Sequence, residues 1–124
     1  MSAPNIVGVT TLTGISTSLA LSVVPTSFVS NGAGTNRVLK INSILVSNVD
    51  GTNSADVNIK YHPHGAAGAG TSISLAHTIA VAADSTLVAL DRASAIYVQE
   101  NQSLVAYASS ASDLELVCSY EIIE

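Results

Sequence analysis

The sequence predicts an all-β protein, an antiparallel β-sandwich of jelly-roll type built from eight or nine short strands. Three observations carry that expectation. The stretch Leu114–Ile123 alternates, with Leu114, Leu116, Cys118, Tyr120 and Ile122 on one face and Glu115, Val117, Ser119, Glu121 and Ile123 on the other. That period of two marks a strand with one buried face. Turn-forming clusters of Gly, Pro, Asn, Asp and Ser recur about every ten residues. No segment outside the Ala- and Leu-rich residues 76–90 carries a competing helical pattern, and there Val81, Thr86 and Val88 with the Asp84-Ser85 break favour a turn and a strand.

Taken in order, residues 1–13 open with a proline-containing polar stretch followed by the β-branched run Ile6 to Leu12, read as an extended arm or an edge strand that Gly14 ends. A strand over Ile15 to Val24 follows, closed by Pro25, which cannot donate to a ladder. Ser27 to Ser30 carries the one Phe, and Asn31 to Asn36 is a loop rich in residues that tolerate positive φ. Val38 to Asn48 is the most apolar strand, and its change of phase at Asn42-Ser43 predicts a bulge or burial on both faces. Asp50-Gly51-Thr52-Asn53 reads as a hairpin turn onto Ala55 to Tyr61, where Val57, Ile59 and Tyr61 point in and Asp56, Asn58 and Lys60 point out. His62 to Gly70 is a mobile loop by composition. Thr71 to Ala80 resumes alternation, with Ile73, Leu75 and Ile79 together and His77 in their phase. Thr86 to Leu90, Ile96 to Val98 and Ser103 to Ala108 complete the strands, all 124 residues forming a single domain.

Charge excludes several functions. Charged residues make up 10% of the chain, with four basic against nine acidic residues and a formal net charge of −5. Arg37, Lys40, Lys60 and Arg92 are too few and too scattered to neutralise a polyanion, so nucleic acid is not an expected partner. No apolar run approaches the roughly 20 residues a membrane helix requires, and the N-terminus shows no basic leader, so no membrane association is expected. The would-be surface is mostly Ser, Thr, Asn, Ala and Gly, polar yet cheap to desolvate, which suits a protein that lives among neighbours.

Candidate chemistry is sparse. His62 and His64 are spaced to share a strand face, with His77 a possible third metal ligand, but Pro63 and the flanking glycines argue for a solvated loop and no metal or other cofactor is expected. Asp50, Asn53 and Asp56 lack the glycine position and bidentate glutamate of a calcium loop, and a turn accounts for them. Cys118 lies on the inward face of the last strand and reads as a buried structural thiol. The serines sit in no nucleophile motif and the carboxylates are scattered over turns, so a non-enzymatic protein is expected. Carbohydrate-binding modules usually show exposed aromatics; here there is no Trp, and Tyr61 and Tyr120 point inward by phase.

The segments Ile41–Asp56, Thr78–Leu90, Ala95–Leu104 and Leu114–Ile123 resemble small all-β virion structural proteins of tailed bacteriophages, of the marine and cyanobacterial type. Where members of that group usually carry Gly-Asp in the last tight turn, this chain has Asn101-Gln102. The resemblance implies a non-enzymatic virion component made in the host cytoplasm, a capsid decoration or cement protein that bridges major capsid protein subunits or copies of itself. A neck or tail component, with an adhesive or glycan-binding role, is the alternative. Ile6, Val7 and Val9 on the arm, with Val117 and Ile123 on the last strand, are the expected interface residues, because apolar side chains on an arm or terminal strand invite a neighbour.

Overall fold

The computed structural model describes residues 6–124. Nine strands follow one another as β1 (Leu12–Ala20), β2 (Thr26–Asn31), β3 (Val38–Asn48), β4 (Ala55–His62), β5 (Ile73–Val81), β6 (Thr86–Leu90), β7 (Ile96–Val98), β8 (Gln102–Ala108) and β9 (Leu114–Ile123). One sheet has the order β1-β9-β3-β6, with β7 also paired to β3, and the other has the order β2-β8-β4-β5. All pairings are antiparallel. Except at the β4–β5 and β6–β7 connections, each strand is followed by one in the opposite sheet, so the chain winds back and forth across the sandwich as in a jelly roll. The strands β6 and β7 lie along the same edge of β3, separated by the 3-10 turn Arg92–Ser94, and together serve as one interrupted edge strand. Among the described residues no helix is long and apolar enough to cross a membrane.

The interior lies between the sheets. Ile41, Ile44 and Val46 of β3, Val57 and Ile59 of β4, Leu104 of β8 and Leu114, Leu116 and Cys118 of β9 are all essentially without solvent exposure. The expected bulge in β3 is present between Ile41 and Ser43, and it lets Leu39 and Ile41 on one side and Ile44 and Val46 on the other all face inward.

Several expectations are corrected. Residues 1–5 lie outside the described structure; Ile6–Gly8 form a 3-10 turn and the first strand starts only at Leu12. It runs through Gly14, which does not break it, and ends at Ala20, with Leu21 buried and Val23 exposed. Backbone bonds from Thr10 and Thr11 N–H to the Glu124 carbonyl, and from Glu124 N–H back to Thr11, extend the β1–β9 ladder, so the edge-strand reading applies from there. The Asp50-Gly51 turn closes no hairpin: β3 and β4 belong to different sheets. The Asp50 carboxylate instead shapes a crossover, accepting the Thr52 and Asn53 N–H groups at 2.8 and 3.2 Å, and these bonds hold its pKa below the usual value.

The outward residue Asn58 is buried. Two register shifts interrupt the β4–β5 ladder, Thr78 takes φ 51°, and the Asn58 side-chain oxygen accepts the Thr78 N–H at 3.0 Å. A polar side chain thus closes the bulge in the ladder. The same irregularity breaks the phase expected of β5, so that Ala76 and Val81 are buried while Ile73, Leu75 and Ile79 lie exposed on an edge strand. Asn48 does comparable work at the β3–β4 crossover, donating to the Asn53 and Val81 carbonyls and accepting from Asp50 N–H. Asn31 does so at the end of β2, donating to the Arg37 and Val98 carbonyls. At these three places a buried amide satisfies backbone groups that the ladders leave unpaired.

Candidate assembly face

Cross-strand partners in an antiparallel ladder project to the same side, so the register defines the outer face of the β1-β9-β3-β6 sheet. Ser18, Val117, Leu45 and Val88 form one row across four strands. Val117 is 45% and Val88 57% exposed, and Leu45 between them is half-buried. The flanking positions are Ser47, Thr86 and Glu115 on one side and Ser16, Ser43 and Ser119 on the other. Further along, Glu121 and Lys40, of opposite charge, are direct neighbours in register, with Tyr97 beyond them at the edge. The centre of the face is therefore an aliphatic row in a hydroxyl-rich field with Glu115 its one charge.

The expected interface residues are distributed unevenly over this surface. Val117 sits in the central row. Val7 is 94% exposed, on the 3-10 turn ahead of β1, and Val9 is half-buried in the segment leading to β1. Ile6 begins that turn. Ile123 is not exposed as its phase suggested: it is 3% exposed and lies in register with Val38, which is also buried, so its own chain covers it. Sequence reasoning missed Leu45 and Val88 as members of the face. Both sit in strands with apolar residues in either phase, and only the pairing register separates inside from outside there.

The three histidines do not converge. His62 is buried, with Nδ1 3.1 Å from the Ala69 carbonyl oxygen, whereas His64 and His77 are exposed at separate places. Among the described residues no three His, Cys, Asp or Glu side chains come close enough to hold a metal ion. Cys118 is fully buried in the interior, and burial pushes its thiol up to about 12. It is a packed side chain, as its phase indicated.

The loop from His62 to Gly70 is not the loose segment its composition suggested. Ser103 Oγ accepts Gly68 N–H and donates to the Gly65 carbonyl, each at 2.8 Å. Ser30 Oγ accepts Ala67 N–H at 2.9 Å, Gln102 Nε2 donates to Pro63 and Asn101 Nδ2 to His64. The loop is thereby folded down onto β2 and β8, on the outer face of the second sheet.

No protein family and no curated protein matches the chain by sequence. Solved structures do match by shape. A chain of the acidic stable capsid structure of Helicobacter pylori bacteriophage KHP30 superposes with a TM-score of 0.54 at 10% identity, over 94% of this chain and 90% of that one. A chain of the Bacillus endospore appendages, disulfide-linked pili, gives 0.50 at 11% identity over 91% and 86%. A chain of infectious bursal disease virus strain Gx gives 0.51 at 13% identity, over 92% of this chain but 30% of that longer one. What these proteins share with this chain is the fold.

Proposed function

We propose that this protein is a non-enzymatic structural component of a virion, a decoration or cement protein on the head of a tailed bacteriophage. In this reading the outer face of the β1-β9-β3-β6 sheet docks on major capsid protein subunits or on further copies of the chain. The observation that carries it is the row Val88–Leu45–Val117 within a field of hydroxyl side chains, a surface that loses little on desolvation and gains on burial. The fold shared with a chain of a phage capsid structure supports the reading, as does the resemblance of the strand and turn segments to phage virion proteins. The pilus structure shares the fold as well and belongs to disulfide-linked pili. A covalent link between copies of this chain would have to use its one cysteine, Cys118, which is buried in the interior.

The test is binding to particles stripped of this protein. Wild-type chain is expected to bind in many copies and to raise the temperature at which the particles open, each copy contributing modestly and the array collectively. Val117→Asp and Val88→Asp are expected to fold normally and to lose binding. Undiminished binding of both variants would remove the face from the account. Wild-type binding confined to the neck or tail would replace the head by those locations.

A further inference from the structure

The opposite sheet carries a groove on its outer face, of about 300 Å³, running between β2 and β4 along β8. Val105 forms the floor: it is buried, yet lies outside the interior cluster, because the folded-down loop covers it. A Cβ on Gly68 would stand 3.0 Å from Val105, and Gly68 has φ 79°, so a glycine there lets the loop close over the floor. Tyr107, Lys60 and His62 form the walls, with Ser27 and Ser72 adding hydroxyls.

The chemistry of this lining is selective. The chain has nine acidic residues and four basic ones, but no carboxylate lines the groove, while Lys60 and His62 both do. Lys60 lines the groove; its Nζ donates to Ser74 Oγ on β5, outside the lining, at 3.4 Å, a long bond that the flexible side chain gives up at little cost when the ammonium turns to a ligand. The Ala69 carbonyl can only accept, so His62 Nδ1 carries a proton and Nε2 is the ring nitrogen left for a ligand. The groove thus offers a cation, an imidazole nitrogen, hydroxyls able to donate or accept, and one aromatic ring, within a space at the small end of ligand pockets.

We propose that the groove binds one acidic sugar residue, a hexuronate. The carboxylate pairs with Lys60, a ring hydroxyl bonds to His62 Nε2, Ser27 and Ser72 meet the remaining hydroxyls, and the apolar face of the sugar lies against Tyr107. The anchored loop holds the His62 ring through the Ala69 carbonyl before the ligand arrives. The site faces away from the docking face and does not depend on it.

A chemical-shift titration of the isotope-labelled full chain tests the assignment, with D-glucuronate, D-glucose and acetate as probes. Glucuronate is expected to shift Ser27, Lys60, Gly68 and Tyr107 together and to saturate in the millimolar range usual for so small a ligand. Glucose and acetate are each expected to bind at least about ten-fold more weakly, the loss of one charge-assisted contact or of the ring contacts. Lys60→Met is expected to bring glucuronate down to the glucose level. Acetate binding as tightly as glucuronate would reduce the site to a charge and overturn the sugar; equal binding of glucose would overturn the role of Lys60. Shifts located elsewhere, or none, in the wild-type chain would overturn the proposal whatever the variant does.

Discussion

The two outer faces of this sandwich are finished in opposite ways. On the β1-β9-β3-β6 sheet the face is bare: its aliphatic row and serines are presented directly, and its register is regular apart from single slips in β3. On the β2-β8-β4-β5 sheet the face is dressed, with the residue 62–70 loop bonded down over β2 and β8 and a bulge closed by Asn58. A bare face suits a flat neighbour, since nothing has to move before contact. Both faces are hollowed, the bare one beside Val117 between Ser18, Ala20 and Glu115, but only the hollow on the dressed face has a loop, a lysine and a histidine in its lining, which suits a small polar ligand. The contrast teaches that surface function in a jelly roll is decided by where the connections are laid, since both sheets draw on the same interior.

That shared interior sets the largest effect. Cys118 is buried between the sheets with its thiol raised from 9.0 to about 12. A folded-state pKa above the unfolded value means that stability is intact below pH 9 and falls as pH rises toward 12, because the unfolded chain ionises first. The loss is expected to be on the order of 2–4 kcal/mol by the top of that window. Cys118→Ala should flatten this part of the profile. Circular dichroism of the sheets and tyrosine fluorescence should follow one transition; two separated transitions would break the claim that the faces share one support.

Next in size is Gly65→Ala. A Cβ on Gly65 would run into the Ala69 carbonyl within the loop itself, a backbone collision no rotamer relieves. About 3 kcal/mol of destabilisation is expected in chemical denaturation, together with loss of the groove. Binding to stripped particles should survive below the unfolding transition, because the bare face takes nothing from this loop. Ser103→Ala should follow at about 2 kcal/mol. Its buried hydroxyl serves both Gly68 N–H and the Gly65 carbonyl, and its removal leaves both without that partner. A cost below about 0.5 kcal/mol would mean that the loop is held by its other bonds and that the dressing is redundant.

The same contrast explains what could be read from the sequence. The bare sheet was legible where its inner face is fully buried, in β3 and the first half of β9: the alternation of Leu114, Leu116 and Cys118 and the slip at Asn42-Ser43 appear as written. The dressed sheet was not. Gly65, Gly68 and Gly70 suggest mobility to any local reading, while the groups that fix the loop, Ser30, Gln102 and Ser103, lie more than thirty residues away in the chain. Asn58 looked like a solvent-facing residue because the bulge it closes is a property of β5. Asp50-Gly51 announced a turn correctly, but turn chemistry carries no information on which sheet the next strand joins. The aliphatic row was half legible: Val117 stands out against its strand, whereas Leu45 and Val88 need the register.

The smallest effect is the sharpest test of bareness. Gly14 lies on the outer face of β1 opposite Glu121, and a Cβ there would meet nothing within 4 Å. Removing glycine from a strand interior recovers backbone entropy, so Gly14→Ala is expected to stabilise the isolated chain by about 0.5 kcal/mol, or roughly 2 °C in the thermal midpoint. The methyl would then project from the surface proposed to dock. If the partner packs closely over this end of the face, the variant gains stability alone and loses affinity for the particle, so the two measurements move in opposite directions. If both improve together, the contact is confined to the Val88–Val117 row and the β1 edge stands clear of it. A loss of stability in the isolated chain would show that Gly14 meets part of the protein after all, and the face would no longer count as bare.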